Sequence, residues 1–145
     1  MRQRPCGEPP SPRDYGGEPF LFNIVRATLR NENFRATVWT GREMQLTLMH
    51  IPPRGEIGAE MHENVDQFLC VVNDRARVYL GACQCDLGEV ACVEGEDAIL
   101  LPAGTWHNVV NAGNAPLKLY SLYAPPQHPR GTVHPTKEDA GKAEH

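Results

Sequence analysis

The 145-residue sequence has no surplus of basic charge: 14 lysines and arginines stand against 18 acids, a formal net charge of −4 at pH 7. That balance excludes the positive footprint needed for nucleic acid or an anionic membrane surface. No apolar run approaches the roughly 18 residues that cross a bilayer. The N-terminal MRQRPCGEPPSP has no apolar stretch of the signal-peptide kind. A cytoplasmic protein is expected. Cysteine is sparse and odd in number, at positions 6, 70, 83, 85 and 92 with no C-x-x-C pair. A secreted disulfide framework is therefore not expected, and reduced thiols are. The C-x-C of Cys83-Gln84-Cys85 is only a weak metal-clip signal.

Helical periodicity is also scarce. Only Asn23 to Asn31 carries it, with Ile24, Val25, Thr28 and Leu29 on one face and Asn23 placed as an N-cap. What the chain does have is 13 glycines and 13 prolines among 41% hydrophobic residues. These suit short strands joined by turns and argue against a helical bundle. Alternating β-formers predict eight strands: Ala36–Thr40, Gln45–Ile51, Gln67–Val72, Arg77–Gly81, Val90–Val93, Ala98–Leu101, Trp106–Val110 and Leu117–Tyr123. Turn formers separate them, among them Pro52-Pro53, Asn73-Asp74, Gly88, Gly95 and Gly104. No helical crossover intervenes, so the pairing is antiparallel. Three segments follow: a Pro/Gly-rich arm at 1–18, a barrel at 19–124 and an irregular tail at 125–145. In the tail, Thr136 and Asp139 resemble a capping box.

Chemistry concentrates in two stretches. In GEIGAEMHENVDQF, Glu60 and His62 are two apart and project from one face of an extended chain, and Gln67 follows five residues later. In PAGTWHNVVN, His107 follows Pro102 and Gly104. A carboxylate, two imidazoles and an amide from different strands make a mixed N/O site for a divalent transition metal.

These residues resemble the two motifs of the cupins, small antiparallel jelly-roll barrels. Gly95, Pro102, Gly104, His107 and Asn111 reproduce G-x5-P-x-G-x2-H-x3-N with one extra residue after Gly95. In the first motif, G-x5-H-x-H-x3–4-E-x6-G, Glu60 stands at the first histidine, His62 at the second and Gln67 at the x4 glutamate, and the closing glycine is missing. The resemblance spans about residues 40–124. It implies an all-β cupin barrel with a short N-terminal helix, and a metal (Zn, Mn, Fe or Ni) held by Glu60, His62, Gln67 and His107. Asp66 is the rival of Gln67: spacing favours the glutamine, while strand parity does not decide, because both faces of the strand are apolar.

The implied function is binding or turnover of a small polar, sugar-like or carbonyl-containing molecule. Isomerase or epimerase chemistry on a Lewis-acid metal leads, with a non-catalytic binding protein or an iron-dependent dioxygenase as alternatives. Outside Glu60 and Asp66 no general base lies beside the site in sequence. Arg54 and Arg77 are the basic candidates for an anionic substrate. Either Tyr120 or Tyr123 lines the cavity, because they alternate on the last strand. Trp106 faces away from the metal, His50 is a packed or surface histidine, and His128 and His134 lie in the Pro-rich tail, read as solvated, with folding over the barrel mouth as substrate contacts the alternative. The family commonly dimerises, with Phe20, Phe22, Phe34 and Trp39 as apolar material for the contact.

Overall fold

The computed structural model describes residues 11–143, so Cys6 and the first ten residues of the expected arm lie outside the described residues. Two helices and nine strands follow in the order α1 (Ile24–Arg30), β1 (Arg35–Thr40), β2 (Gln45–Ile51), β3 (Asp66–Asn73), β4 (Arg75–Gly81), β5 (Gly88–Glu94), β6 (Ala98–Leu101), β7 (Trp106–Asn111), β8 (Leu117–Ala124), β9 (Val133–His134) and α2 (Lys137–Ala143). All eight expected strands are present. They form a six-stranded sheet, β6-β3-β8-β2-β1-β9, facing a three-stranded sheet, β5-β4-β7. Every recorded strand pairing is antiparallel. Among the described residues, no helix is long and apolar enough to cross a membrane.

Apolar side chains fill the space between the sheets: Met49 and Ile51 from β2, Leu69 and Val71 from β3, Val78 from β4, Val109 from β7, and Leu117 and Leu119 from β8. The outer face of the large sheet carries a second cluster of Val38, Leu46 and Leu48. It is covered by Phe20, Phe22, Ile24 and Ala27. The aromatics considered for a dimer contact are thus employed within the chain. Phe34 is in the inner core, and Trp39 packs on the outer cluster while donating to the Glu18 carbonyl at 2.7 Å.

Helix α1 forms where expected, with the Asn23 side chain accepting from the Arg26 amide at 2.9 Å. Its buried face differs from the expected one. Ile24, Ala27 and Thr28 turn inward, while Val25 and Leu29 are 47% and 45% exposed. Ala27 packs against the outer cluster beside Ile24.

The C-terminal segment is more ordered than its prolines suggest. β9 adds to the free edge of β1 through Arg35↔His134 and Ala36↔Val133, which blunts that edge. Thr136 and Asp139 complete a reciprocal cap: the Asp139 amide donates to Thr136 Oγ1 at 3.1 Å, and the Thr136 amide donates to Asp139 Oδ2 at 3.2 Å. The helix it starts buries Ala140 in the inner core. Asp14 ties three segments together, accepting from the Gly16 and Thr40 amides, the Thr40 hydroxyl and the Gly131 amide.

The cysteines depart from expectation. Cys70 and Cys92 are free thiols, but Cys83 and Cys85 are joined in a disulfide in the β4–β5 turn. The turn itself brings them together, since the Asp86 amide donates to the Cys83 carbonyl and the β4–β5 ladder runs up to Leu80↔Gly88. A bridge between residues already held by the turn removes little entropy from the unfolded chain. The double substitution Cys83→Ser, Cys85→Ser is expected to lower unfolding free energy by no more than about 1.5 kcal/mol in urea melts, against the roughly 3–4.7 kcal/mol of a bridge closing a loop of 15 to 100 residues.

Candidate metal centre

The site is built where the segment before β3 runs beside β7. Glu60 and His107 exchange both backbone hydrogen bonds, each 2.9 Å, as an isolated antiparallel bridge. Residues paired this way present their side chains on the same face. One turn closes the arrangement. Gly104, at φ +84°, turns the chain between β6 and β7, and its amide donates to the His62 carbonyl at 2.8 Å. An L side chain is strained at that φ, which accounts for the glycine at this motif position. His62, two residues beyond Glu60, thereby joins the pair.

The side-chain donors converge. His107 Nε2 lies 3.3 Å and His62 Nε2 3.5 Å from Glu60 Oε1. One ligand atom from each of the three residues lies within 4.8 Å of the others. His107 is 1% exposed, and its Nδ1 sits 3.0 Å from the Thr105 carbonyl. A carbonyl only accepts, so Nδ1 carries a proton, and Nε2 is turned toward the Glu60 carboxylate. Burial alone raises the Glu60 carboxyl. The hydrogen bonds of His107 and His62 and the charge of Arg35 outweigh it and hold Glu60 well below the usual carboxylate range.

Gln67 and Asp66 separate cleanly. Gln67 is 4% exposed, donates Nε2 to Ser121 Oγ at 2.8 Å and leaves Oε1 buried without a partner. Asp66 is exposed and accepts from the Ala103 amide. The glutamine therefore faces the interior. It stands beside Tyr123 in the strand register, and the Tyr123 ring meets the His62 ring edge-on at 5.6 Å. Three of the four expected ligands thus form one cluster, and Gln67 points into the same interior from the opposing sheet.

Of the two tyrosines, Tyr123 lines the interior at 1% exposure, while Tyr120 packs on the outer cluster. Burial keeps the Tyr123 hydroxyl protonated, although Arg35 opposes this. Trp106 is half-buried and alternates with His107, facing away. His50 alternates with the inward Met49 and Ile51, so it lies outside the cavity.

Two expectations need correction. Arg54 is exposed in a turn and Arg77 is exposed and paired with Glu89 at 3.5 Å, so neither reaches the site. The basic residue that does is Arg35, 2% exposed on β1. Arg35 precedes the expected strand Ala36–Thr40, and nothing in its sequence context marks it as inward. Both faces are covered: Val38 meets the outer cluster, and Arg35 and Thr37 face the interior. His128 is not solvated. Its ring stands edge-on to Tyr123 at 5.2 Å, and its backbone is clamped by Gln45, whose Oε1 accepts from the amides of Gln127 and His128. His134 lies behind it, ring centroids 6.5 Å apart.

Comparison with known proteins places this geometry in context. A model of the cupin domain matches residues 47–123. The YrkC protein of Bacillus subtilis is 53% identical over 132 residues, 91% of this chain and 71% of YrkC. The L612 protein of Acanthamoeba polyphaga mimivirus is 33% identical over 123 residues, 84% of this chain and 75% of its own length. The crystal structure of BH2720 from Bacillus halodurans superposes with a TM-score of 0.88 at 52% identity, covering 90% of this chain and 98% of that one. With the motif histidine on β7, the glycine turn before it and the two facing antiparallel sheets, the chain belongs to the cupin domain family.

Proposed function

We propose that Glu60, His62 and His107, with Gln67 as the fourth donor, hold a divalent transition metal that binds a small polar molecule inside the barrel. The observation that carries this reading is the convergence of His107 Nε2, His62 Nε2 and a Glu60 carboxylate oxygen, one atom from each residue within 4.8 Å of the others. The Thr105 carbonyl accepts from His107 Nδ1–H and so aims Nε2 at that carboxylate, 3.3 Å away. A metal bound there takes the place of the proton that the imidazole and the carboxylate otherwise share. The buried Nε2 of His62, 3.5 Å from Glu60 Oε1, and the buried Oε1 of Gln67, which has no partner, add two further donor atoms. Two nitrogens and two oxygens with one negative charge suit Zn, Mn, Fe or Ni. Bound there, the metal supplies Lewis acidity toward a carbonyl or hydroxyl oxygen, the chemistry shared by isomerases and epimerases.

The residues around it favour an oxygen-rich ligand. The Tyr123 hydroxyl, kept protonated, can donate to a ligand oxygen. The Thr47 hydroxyl, fully buried on the inward face of β2, has no partner within the protein. Buried polar atoms left unmatched mark the place where a ligand or water completes the hydrogen bonding.

A non-catalytic binding role is the second reading, and one observation favours it. Glu60 is committed to the two imidazoles and Asp66 faces solvent. Among the described residues, no carboxylate in the cavity is therefore free to act as a general base. Metal analysis of the purified chain tests the shared premise: about one transition metal per chain is expected. A screen of the loaded protein against sugars, sugar phosphates, β-diketones and catechols then separates turnover from binding. A chain that takes up no metal under any loading condition would sink both readings.

A further inference from the structure

The structure assigns Arg35 as an anion-binding subsite, so that the small molecule taken up by the barrel bears a carboxylate or equivalent negative charge. Arg35 is 2% exposed, yet no described carboxylate forms an ion pair with it, and its Nε is buried without a hydrogen-bond partner. The contrast within the chain is direct. Lys118, the other buried cation among the described residues, gives its ammonium group to the Asn31 carbonyl. A buried charge costs several-fold more than a buried neutral polar group unless something compensates it. Here the chain leaves that compensation incomplete.

The position of Arg35 makes the missing partner a ligand rather than solvent. β1 turns Arg35 toward the interior in register with Met49 of β2, on one side, and His134 of β9, on the other. β9 closes the sheet edge over it. Its positive charge is felt at Glu60, Tyr123 and His128, which are the residues on and around the metal centre. No aspartate or glutamate is among the fully buried polar residues described. Glu60 is the one carboxylate coupled to Arg35, and on the reading proposed above it belongs to the metal.

Charge arithmetic gives the ligand class. A divalent ion and Arg35 contribute three positive charges, Glu60 one negative, and the histidines none when neutral, which leaves about two uncompensated positive charges in a largely closed interior. An anion with a planar, forked group matches a guanidinium better than it matches an ammonium. A small carboxylate with a further oxygen atom meets the arginine, the Tyr123 hydroxyl and the metal together. This count rests on the metal reading, whereas the lack of an ion-paired carboxylate at Arg35, whose guanidinium contacts the Phe34 ring and the Tyr123 hydroxyl, does not.

The test is titration calorimetry with malonate against malonamide, which has the same shape without the charge, on zinc-loaded and on metal-free protein. Malonate is expected to bind at least ten-fold more tightly than malonamide. Arg35→Gln should remove that preference with zinc content unchanged, and Arg35→Lys should keep part of it. Should Arg35→Gln fail to fold, the wild-type preference and the Arg35→Lys loss still decide. Equal binding of malonate and malonamide, or full malonate affinity in Arg35→Gln, overturns the assignment. A chain that takes up no zinc but binds malonate through Arg35 supports the subsite while defeating the metal reading.

Discussion

His107→Ala is expected to abolish stoichiometric metal, lowering affinity by more than the roughly 10–100-fold that loss of an outer supporting contact costs at metal sites. Two effects combine. The substitution removes the Nε2 that the Thr105 contact orients toward Glu60, and it leaves the Glu60 carboxylate facing His62 alone. The same centre predicts a large response to chelation in the wild type. A ligand present at 100 times its dissociation constant stabilises a fold by about 2.7 kcal/mol. For a domain of this size, stripping the metal therefore lowers Tm by roughly 6–10 °C. His107→Ala should melt at or below the chelated wild type and show no further loss when chelator is added. The measurement is differential scanning calorimetry with and without chelator, alongside metal content. If chelator leaves the wild-type melt unmoved while His107→Ala still destabilises, His107 is only a packed core residue.

Glu60→Gln sharpens that comparison. The amide keeps the shape of the carboxyl but can donate to an imidazole, so a metal-free hydrogen-bonded triad would tolerate it. A metal centre would lose its only negative ligand. Metal affinity and apo stability should therefore move apart in this variant.

The fold was legible because the strands are short runs of β-formers and the breaks between them carry residues with a backbone reason to stop. The candidate ligands His62 and His107 were legible because a turn chemistry surrounds them: Gly104 needs φ +84°, and that need leaves a trace in sequence. Other features leave none. The competition between Asp66 and Gln67 depends on which face of β3 meets the opposing sheet, and both faces are lined with apolar residues. Arg35 was hidden for the same reason on β1. A strand covered on both sides has no polar face to read, so an inward arginine looks like an outward one. The tail was misread through its prolines, since Val133 and His134 make only two pairings with β1 and a two-residue strand carries no periodicity. The disulfide depended on a turn whose shape the cysteine spacing alone does not specify.

The tail provides the second large effect, a loss of stability on mild acidification. The fold holds the His128 imidazole neutral, pushed down to about 3, first by burial and then by the charges of Arg35, His62 and His134, against a raising effect of Glu60. In the unfolded or undocked chain the same ring titrates near 6.5. Between about pH 6.5 and pH 3 the released state binds a proton that the packed state does not. Stability is thus greatest above pH 6.5 and falls as pH drops through this window, by up to about 1.4 kcal/mol per unit from this one group. The loss acts first where His128 sits, because Gln45 and Tyr123 hold the segment down and the proton must be accommodated between them. Urea melts at pH 7, 6 and 5 should show the wild type weakening steadily. His128→Gln, which cannot take up the proton, should weaken less. Hydrogen exchange of the Gln127 and His128 amides should rise in the wild type before the core amides of β3 and β8 do. Parallel pH profiles for the two proteins would show that the ring at 128 is not what acid releases.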